Sequence, residues 1–456
     1  MAREEAVLRA LRRPAVSAPG ISVAAARLES AGNIDLRPLE VMLTVLKSLR
    51  EYYVDQISPD AEGKMTHDSL RAMLSSLDDP NTRFLDPAQH KLVADAAEGD
   101  FHGIGVILGI KRTKSGALSE ERLIVITPVE SGPAAKAGLR PGDDIIAVNG
   151  RSVLPFNPYQ KANWIIKEDR KKAVERSELK KRIDAEQKRI ESGIPLLEAE
   201  NLLVSEDQKE VELAVVRKGS AKEIRFKITP RAFTVIPVTS AFLENENLGY
   251  IKINCFSTGT AEQFDAAVRD LKSKGAKGLL LDLRNLAGGG LDTVLEVARP
   301  LLPGKPLAVE RRSRDRSSTI KVAEYPAEDA WHGPMVVLVN SGTARMSEVL
   351  AAALKDNASA KLVGQITYGD CSVVTLVEQR DGSAVAMTTG ALVPARGRDY
   401  QGKGLAVDVQ VASAASGDPQ LKEAIKVLGA MAGRPSTLRP AQGSGPAATT
   451  SAGGRG

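Results

Sequence analysis

Apolar residues recur along this chain with two different periods, and the change between them divides it. Between residues 36 and 100, Leu36, Leu39, Met42, Leu43 and Leu46 fall three or four apart, and Leu70, Met73, Leu74 and Leu77 repeat the spacing. That period predicts helices with one apolar face turned to a core. From Phe101 the apolar runs shorten and are separated by glycine and proline turns, which predicts strands. A charged stretch at 167–207 interrupts them. There Val174, Leu179, Ile183 and Ile190 keep a roughly helical spacing, Gly193-Ile194-Pro195 breaks the helix, and Leu196 to Val204 forms a second, short one. A narrow apolar stripe among alternating charges predicts a protruding helical hairpin, read either as a solvated spacer or as a docking arm. Strand character resumes from Val211 to Arg217.

Residues 230–412 alternate strand and helix. Gly249 to Ile253 reads as a strand, the next helix carries Phe264, Ala267, Val268 and Leu271, and Gly278 to Arg284 is apolar enough to be a buried strand. Strand, helix, strand in that order implies a right-handed crossover and a parallel sheet. The fold class is therefore α+β and multidomain. Its parts are a flexible N-terminus at 1–35, a helical region at 36–100, a mainly β domain at 101–229 carrying the 167–207 insertion, an α/β core at 230–430, and a tail at 431–456. That tail is rich in Ala, Gly, Pro, Ser and Thr and is expected to be disordered.

Composition narrows the function classes. The chain has 456 residues, 43% hydrophobic and 26% charged, with a net charge of +5 and no apolar run long enough to span a bilayer. No folded segment is a dense basic patch, so nucleic acid is not an expected partner. Cys255 and Cys371 make no disulfide framework and no metal-ligand spacing, and the four histidines at 67, 90, 102 and 332 are scattered. No metal and no cofactor is expected. Residues 1–30 carry acidic residues and prolines instead of a signal peptide's continuous apolar region, so the chain as written reads as cytoplasmic.

Two motifs give the β domain a family. Phe101-His102-Gly103-Ile104-Gly105-Val106 and the run Ser131-Gly132-Pro133-Ala134-Ala135-Lys136-Ala137-Gly138-Leu139-Arg140-Pro141-Gly142-Asp143-Asp144-Ile145-Ile146-Ala147-Val148-Asn149-Gly150 together resemble a PDZ domain. In that reading Gly103 and Gly105 free backbone N–H groups to cap a terminal carboxylate, and the adjacent strand offers an edge for β-augmentation. Phe101, Gly103, Ile104, Gly105 and Val106 are the candidate peptide-binding residues. The PDZ helix is placed so that it ends near Trp164-Ile165-Ile166, with 167–207 as the insertion.

The core carries a second resemblance. Asn340-Ser341-Gly342-Thr343-Ala344-Arg345-Met346-Ser347-Glu348 is similar to the nucleophile segment N-x-G-[ST]-A-S-A-S-E of the carboxyl-terminal processing peptidases, also called tail-specific proteases. Gly364-Gln365-Ile366-Thr367-Tyr368-Gly369-Asp370-Cys371-Ser372-Val373-Val374 resembles their G-x-x-T-x-G-K-G-x-x-Q, which supplies a lysine base and the glutamine that orients it. Further support comes from Tyr52-Tyr53-Val54-Asp55, Phe84-Leu85-Asp86-Pro87, Asn285-Leu286-Ala287-Gly288-Gly289-Gly290 and Pro394 to Val409, so the resemblance runs from about 38 to 430. It implies that Gly288 or Gly289, with the backbone of Met346, forms an oxyanion hole.

At the three chemical positions this chain departs from the pattern: Arg345 stands for the serine, Asp370 for the lysine and Val374 for the glutamine. Arginine has no hydroxyl and stays protonated, so neither nucleophile nor base remains. Opposite charges at 345 and 370 suggest an ion pair in place of the dyad, a pairing that a planar guanidinium can make in bidentate fashion. Two independent substitutions at a site released from selection would give the same sequence. Ser347 points elsewhere around its helix, and Cys371 faces away from its neighbour, so neither replaces the serine.

The expectation is a serine peptidase fold without its chemistry: a pseudoenzyme acting as a binding scaffold or regulator through its PDZ domain, cleft and helical arm. The alternative is an active tail-specific endopeptidase with relocated catalytic residues. Expected partners are a protein or peptide with an apolar C-terminus, an active paralogue or larger assembly, or a second copy of the chain. Members of the family are commonly periplasmic or otherwise exported, so the compartment stays open.

Overall fold

The computed structural model describes residues 22–23, 37–77, 79–115, 118–155, 157–171, 175–205, 209–217, 219–220, 222–312, 317–396, 399–414 and 417–433. Leu36, Val174, nearly all of 1–35 and most of the 431–456 tail lie outside them. After β1 (Ser22–Val23) come helices α1 (Arg37–Tyr52) and α2 (Pro59–Ser75), then β2 (Arg83–Leu85) and α3 (Pro87–Glu98). Asp86 caps α3 through a capping box with Gln89, and Pro87 occupies its first turn, where no N–H is needed. Gly99 ends the helix at φ +93°, a conformation that glycine adopts without Cβ strain. One expectation fails here. The apolar stripe of α1 and α2 is not a core face: Met42 and Leu43 are 40% and 57% exposed, and Met73, with Leu77 just beyond α2, is exposed too. Periodicity marks an apolar face, not what covers it.

The PDZ domain follows: β3 (Asp100–Phe101), β4 (Val106–Ser115), β5 (Leu118–Pro128), α4 (Pro133–Ala137), β6 (Asp144–Val148) and β7 (Arg151–Leu154). Helices α5 (Tyr159–Lys171) and α6 (Arg176–Ser192) come next, then β8 (Ile194–Pro195), α7 (Leu196–Val204), β9 (Val211–Val216) and β10 (Glu223–Ile228). The sheet order is β10-β9-β6-β5-β4, leaving β4 at the edge. The helix that closes this domain is α7, not the one ending at Ile166. Leu196, Ala199 and Leu203 of α7 are buried with Ile104, Leu123, Ile145, Leu213 and Val215. The helical insertion is therefore α5 and α6, and the second half of the expected 167–207 segment belongs to the domain's own core. Both segments have helical periods; only the strongly apolar Leu196–Val204 could fill the core. The hairpin is held by Glu186, buried against Arg189 at 2.6 Å and Lys161 at 3.5 Å.

The α/β core begins with β11 (Phe233–Thr234), β12 (Val238–Leu243) and β13 (Leu248–Ile253), then α8 (Thr260–Ser273), β14 (Gly278–Asp282), β15 (Ala287–Gly288) and α9 (Leu291–Ala298). It continues with β16 (Pro306–Arg312), β17 (Ser317–Lys321), β18 (Met335–Val339), β19 (Ala344–Arg345), α10 (Met346–Asn357) and β20 (Lys361–Gly364). It ends with β21 (Ser372–Glu378), β22 (Ala384–Val393), β23 (Val409–Gln410) and α11 (Pro419–Ala432). The main sheet runs β12-β13-β14-β18-β20-β23, parallel from β13 onward, as the strand-helix-strand reading predicts. β14 and β18 are buried at every position. Phe264, Val268, Val294, Val297, Leu350 and Leu354 pack helices α8, α9 and α10 on one face, while Ala424 and Leu428 bring α11 to the other. A second sheet, β1-β21-β22-β16-β17 with β2 on β22, flanks the site.

Candidate functional site

The site forms where β18 ends and α10 begins. Asn340 opens the turn, its side chain accepting from the N–H of Asn285 and of Gly342, while the Thr343 hydroxyl donates to Leu283 O. β19 then pairs in parallel with β15, setting Ala344 beside Ala287 and Arg345 beside Gly288. Arg345 sits at the elbow with φ +60° and ψ −122°, a backbone region that non-glycine residues rarely occupy. Packing holds it there: Ala344 and Met346 on either side are buried.

Glu348, one turn into α10, locks the elbow to the second motif. Its fully buried carboxylate accepts from Arg345 N at 3.0 Å, Asp370 N at 2.9 Å, Gly369 N at 2.7 Å and the Thr367 hydroxyl. Burial pushes its pKa up to about 7, against the pull of these four donors. No sequence argument gave Glu348 a role beyond the family pattern. The signal was present, because a residue three positions before a glutamate at a helix start is the capping-box spacing.

Arg345 and Asp370 meet. Arg345 Nε lies 3.2 Å from Asp370 Oδ2, with Arg345 30% and Asp370 8% exposed at the side chain. The contact is single, not bidentate, because Arg345 Nη2 turns instead to Asn81 Oδ1 at 3.0 Å. Asp370 spends its other oxygen on Ser372 N at 3.0 Å. Val374, the third position at which the chain departs from the motif, packs against Leu85, Leu376, Ala384 and Ala386, next to a bulge in the β21–β22 pairing.

Neither neighbouring nucleophile is poised. The fully buried Ser347 hydroxyl lies 2.6 Å from Leu286 O and 2.8 Å from Ala344 O, and accepts from Ala344 N at 3.0 Å. Burial, followed by the charges of Asp399 and Asp370, pushes the Cys371 thiol up to about 12, so it stays protonated. Ser372, which the motif reading passed over, lines the cavity beside the pair.

That cavity, of about 540 Å³, opens in front of Arg345. Gly288, Gly289 and Met346, the expected oxyanion-hole backbone, form part of its wall. Gly288 and Gly289 have φ of +93° and +91°, and a Cβ on Gly289 would strike the Phe256 ring, so glycine is required there. The opposite wall is PDZ: Phe101, Gly105, Val106, Ile107 and Leu108, with Glu200, Asn201 and Val204 of α7. Contacts from the N-terminal region join the two walls, Arg83 to Glu200 at 2.5 Å and Gln89 to Asn201 at 2.5 Å.

The PDZ loop itself is closed. Ile104 is fully buried and its N–H donates to Leu203 O at 2.9 Å. A Cβ on Gly103, at φ +70°, would fall 2.4 Å from that same carbonyl. Gly105, at φ +73°, lies beneath the Phe233 ring, which stacks on Phe101 at 5.8 Å. Of the candidate peptide-binding residues, Phe101, Gly105 and Val106 reach the cavity, while Gly103 and Ile104 do not line it.

Comparison with known proteins agrees with both halves. The peptidase family S41 model matches residues 247–411 and a PDZ domain model matches residues 124–168. The chloroplastic C-terminal processing peptidase of Tetradesmus obliquus is 30% identical over 376 residues, covering 80% of this chain and 71% of that protein. The carboxy-terminal processing protease CtpA of Bacillus subtilis is 28% identical over 364 residues, covering 80% and 67%. A solved structure, the photosystem II D1 C-terminal processing protease, superposes with a TM-score of 0.59 at 26% identity, covering 87% of this chain and 98% of that one. With its fold, its motifs and these relatives in agreement, this chain belongs to the carboxyl-terminal processing peptidase family.

Proposed function

We propose that this chain is a catalytically inactive member of its family, which binds polypeptides in the cleft between its PDZ domain and its peptidase core without cleaving them. The observation that carries the reading is the Arg345–Asp370 pair at 3.2 Å, standing where a hydroxyl and its base would have to face each other. A permanently charged guanidinium can neither attack a carbonyl nor accept a proton. Relocated chemistry finds no support in Ser347, which is buried and fully bonded, or in Cys371, whose thiol is held far from ionisation. Binding is supported by the outer edge of β4, which pairs with no second strand among the described residues, lines the cavity at Val106, Ile107 and Leu108 and can pair with an extended chain. Ligands in this reading are polypeptides with apolar C-termini. The α5–α6 hairpin provides a second surface, on which a paralogue or a larger assembly would dock.

The test is incubation of the full chain with fluorescein-labelled unfolded casein and a panel of peptides, read by mass spectrometry. No cleavage above the buffer blank is expected. Turnover that disappears in Ser372→Ala or Cys371→Ala would refute the reading and identify the relocated nucleophile.

A further inference from the structure

We infer that Arg345 has become the receptor for the C-terminal carboxylate of a bound peptide, replacing the PDZ loop in that task. The inference rests on the reading that the chain binds without cleaving, and adds to it a ligand class and a position. Three independent features of the cavity converge on it.

The first is the loop. A carboxylate cap needs free N–H groups, and the Ile104 N–H is already donated to Leu203 O. Gly103 is shut in by Leu203 and Val204, and the Phe233 ring packs on one side of Gly105, whose other side lines the cavity. A carboxylate seeking the Ile104 N–H would have to break the α7 contact.

The second is charge. The cavity wall carries Arg83, Arg312 and Arg345 against Glu200 and Glu310. Arg83 is bound to Glu200 and Arg312 to Glu310 at 2.8 Å, so both glutamates are taken by arginines other than Arg345. Asp370 engages Arg345 only through Nε, and Asn81 takes one hydrogen of Nη2. Among the described residues, Nη1 and the remaining Nη2 hydrogen have no partner. These are charge-assisted donors that a terminal carboxylate can take up. Asp370 and Asn81 hold the group in one orientation, so less side-chain freedom is lost when a ligand arrives.

The third is reach. Val106, Ile107 and Leu108 on the outer β4 edge line the same cavity as Arg345 and Met346. A strand paired to that edge would lie in this cavity, and its terminal carboxylate would end on the guanidinium. In an active relative the chain continues past the nucleophile to be cut. Here a cation at that point favours a chain that stops.

The probes are an acetylated hexapeptide of alternating serine and valine ending in alanine, as free acid and as C-terminal amide. Binding of each to the full chain is measured by competition against a fluorescein-labelled copy of the acid. The acid should bind roughly tenfold or more tightly than the amide, the scale of a charge-assisted pair of hydrogen bonds. Arg345→Gln/Asp370→Asn replaces the pair by neutral groups of similar shape and strands no charge. With its fold verified by circular dichroism and thermal melting, it should bind both peptides with the amide's affinity. Arg345→Lys should keep part of the preference. Equal binding of acid and amide by the wild-type chain overturns the inference, as does no saturable binding of the acid. A preference that survives in the double variant also overturns it, by returning the carboxylate to the loop, and leaves the non-cleaving reading standing. Cleavage of either peptide, seen by mass spectrometry, would instead refute that reading.

Discussion

Truncating the central pair one residue at a time measures how far it is a unit. Arg345→Ala leaves Asp370, 8% exposed, without its cation but with the Ser372 N–H still bonded. Stranding a carboxylate that deeply should cost about 2–3 kcal/mol. Asp370→Ala is milder, because Arg345 is 30% exposed and keeps Asn81, so solvent screens part of the loss and about 1–2 kcal/mol is expected. Removing both strands nothing. With one contact at 3.2 Å instead of a bidentate pair, the double variant should fall short of the sum by about 1 kcal/mol. Urea unfolding of the four proteins at low and high salt is the assay. A semi-buried pair should keep most of its coupling in salt, where a surface pair would lose it. Additivity within ~0.4 kcal/mol would show that the two residues do not stabilise each other and that their approach is incidental.

Two further outcomes test other parts of the structure. Glu348 is raised from its ordinary value of 4.5 to about 7 by burial, so the folded state holds a proton that the unfolded state releases. Its contribution is present below pH 4.5 and is lost as pH rises toward 7; at 1.36 kcal/mol per unit, wild type should lose about 3 kcal/mol relative to Glu348→Gln across that window. Parallel stability curves for the two proteins between pH 4.5 and 7.5 would contradict it. If α7 is the PDZ core helix, Leu203→Ala should destabilise by about 2–5 kcal/mol, whereas Leu179→Ala, at a half-buried position on the largely exposed α6, should lose no more than ~1 kcal/mol in the same urea assay. The reverse order would return the insertion to α7.

What the sequence made legible was whatever depends on neighbours a few residues apart. The buried strand at Gly278–Asp282, the α8 face and the elbow motif all declare themselves in short windows. The meeting of 345 and 370 was legible for another reason, since two motifs with a known mutual geometry were both present. Asn81 was not, because nothing local links a turn in the N-terminal region to a residue 264 positions away. The choice between two helices for the PDZ core was also a tertiary question. Both have helical periods, and burial alone separates Leu203 from its rivals.

Val374 carries the departure from the family pattern beyond two exchanged charges. A glutamine that orients a lysine must offer its amide oxygen across the cleft, and it needs polar surroundings to be held there. The side chain at 374 instead completes a small apolar cluster with Leu85, Leu376, Ala384 and Ala386, against which Val93 of α3 also packs. The N-terminal region that supplies Leu85 and Val93 also supplies Asn81 to Arg345 and Arg83 to Glu200 of the PDZ domain. One segment thus contacts three features of the cleft: the guanidinium, the apolar wall and the helix that packs on the loop. Such a set of contacts would stabilise a single arrangement of PDZ domain and core. A peptidase must open and realign to turn over, but a protein that only holds its ligand gains from a cleft whose walls are fixed before the ligand arrives.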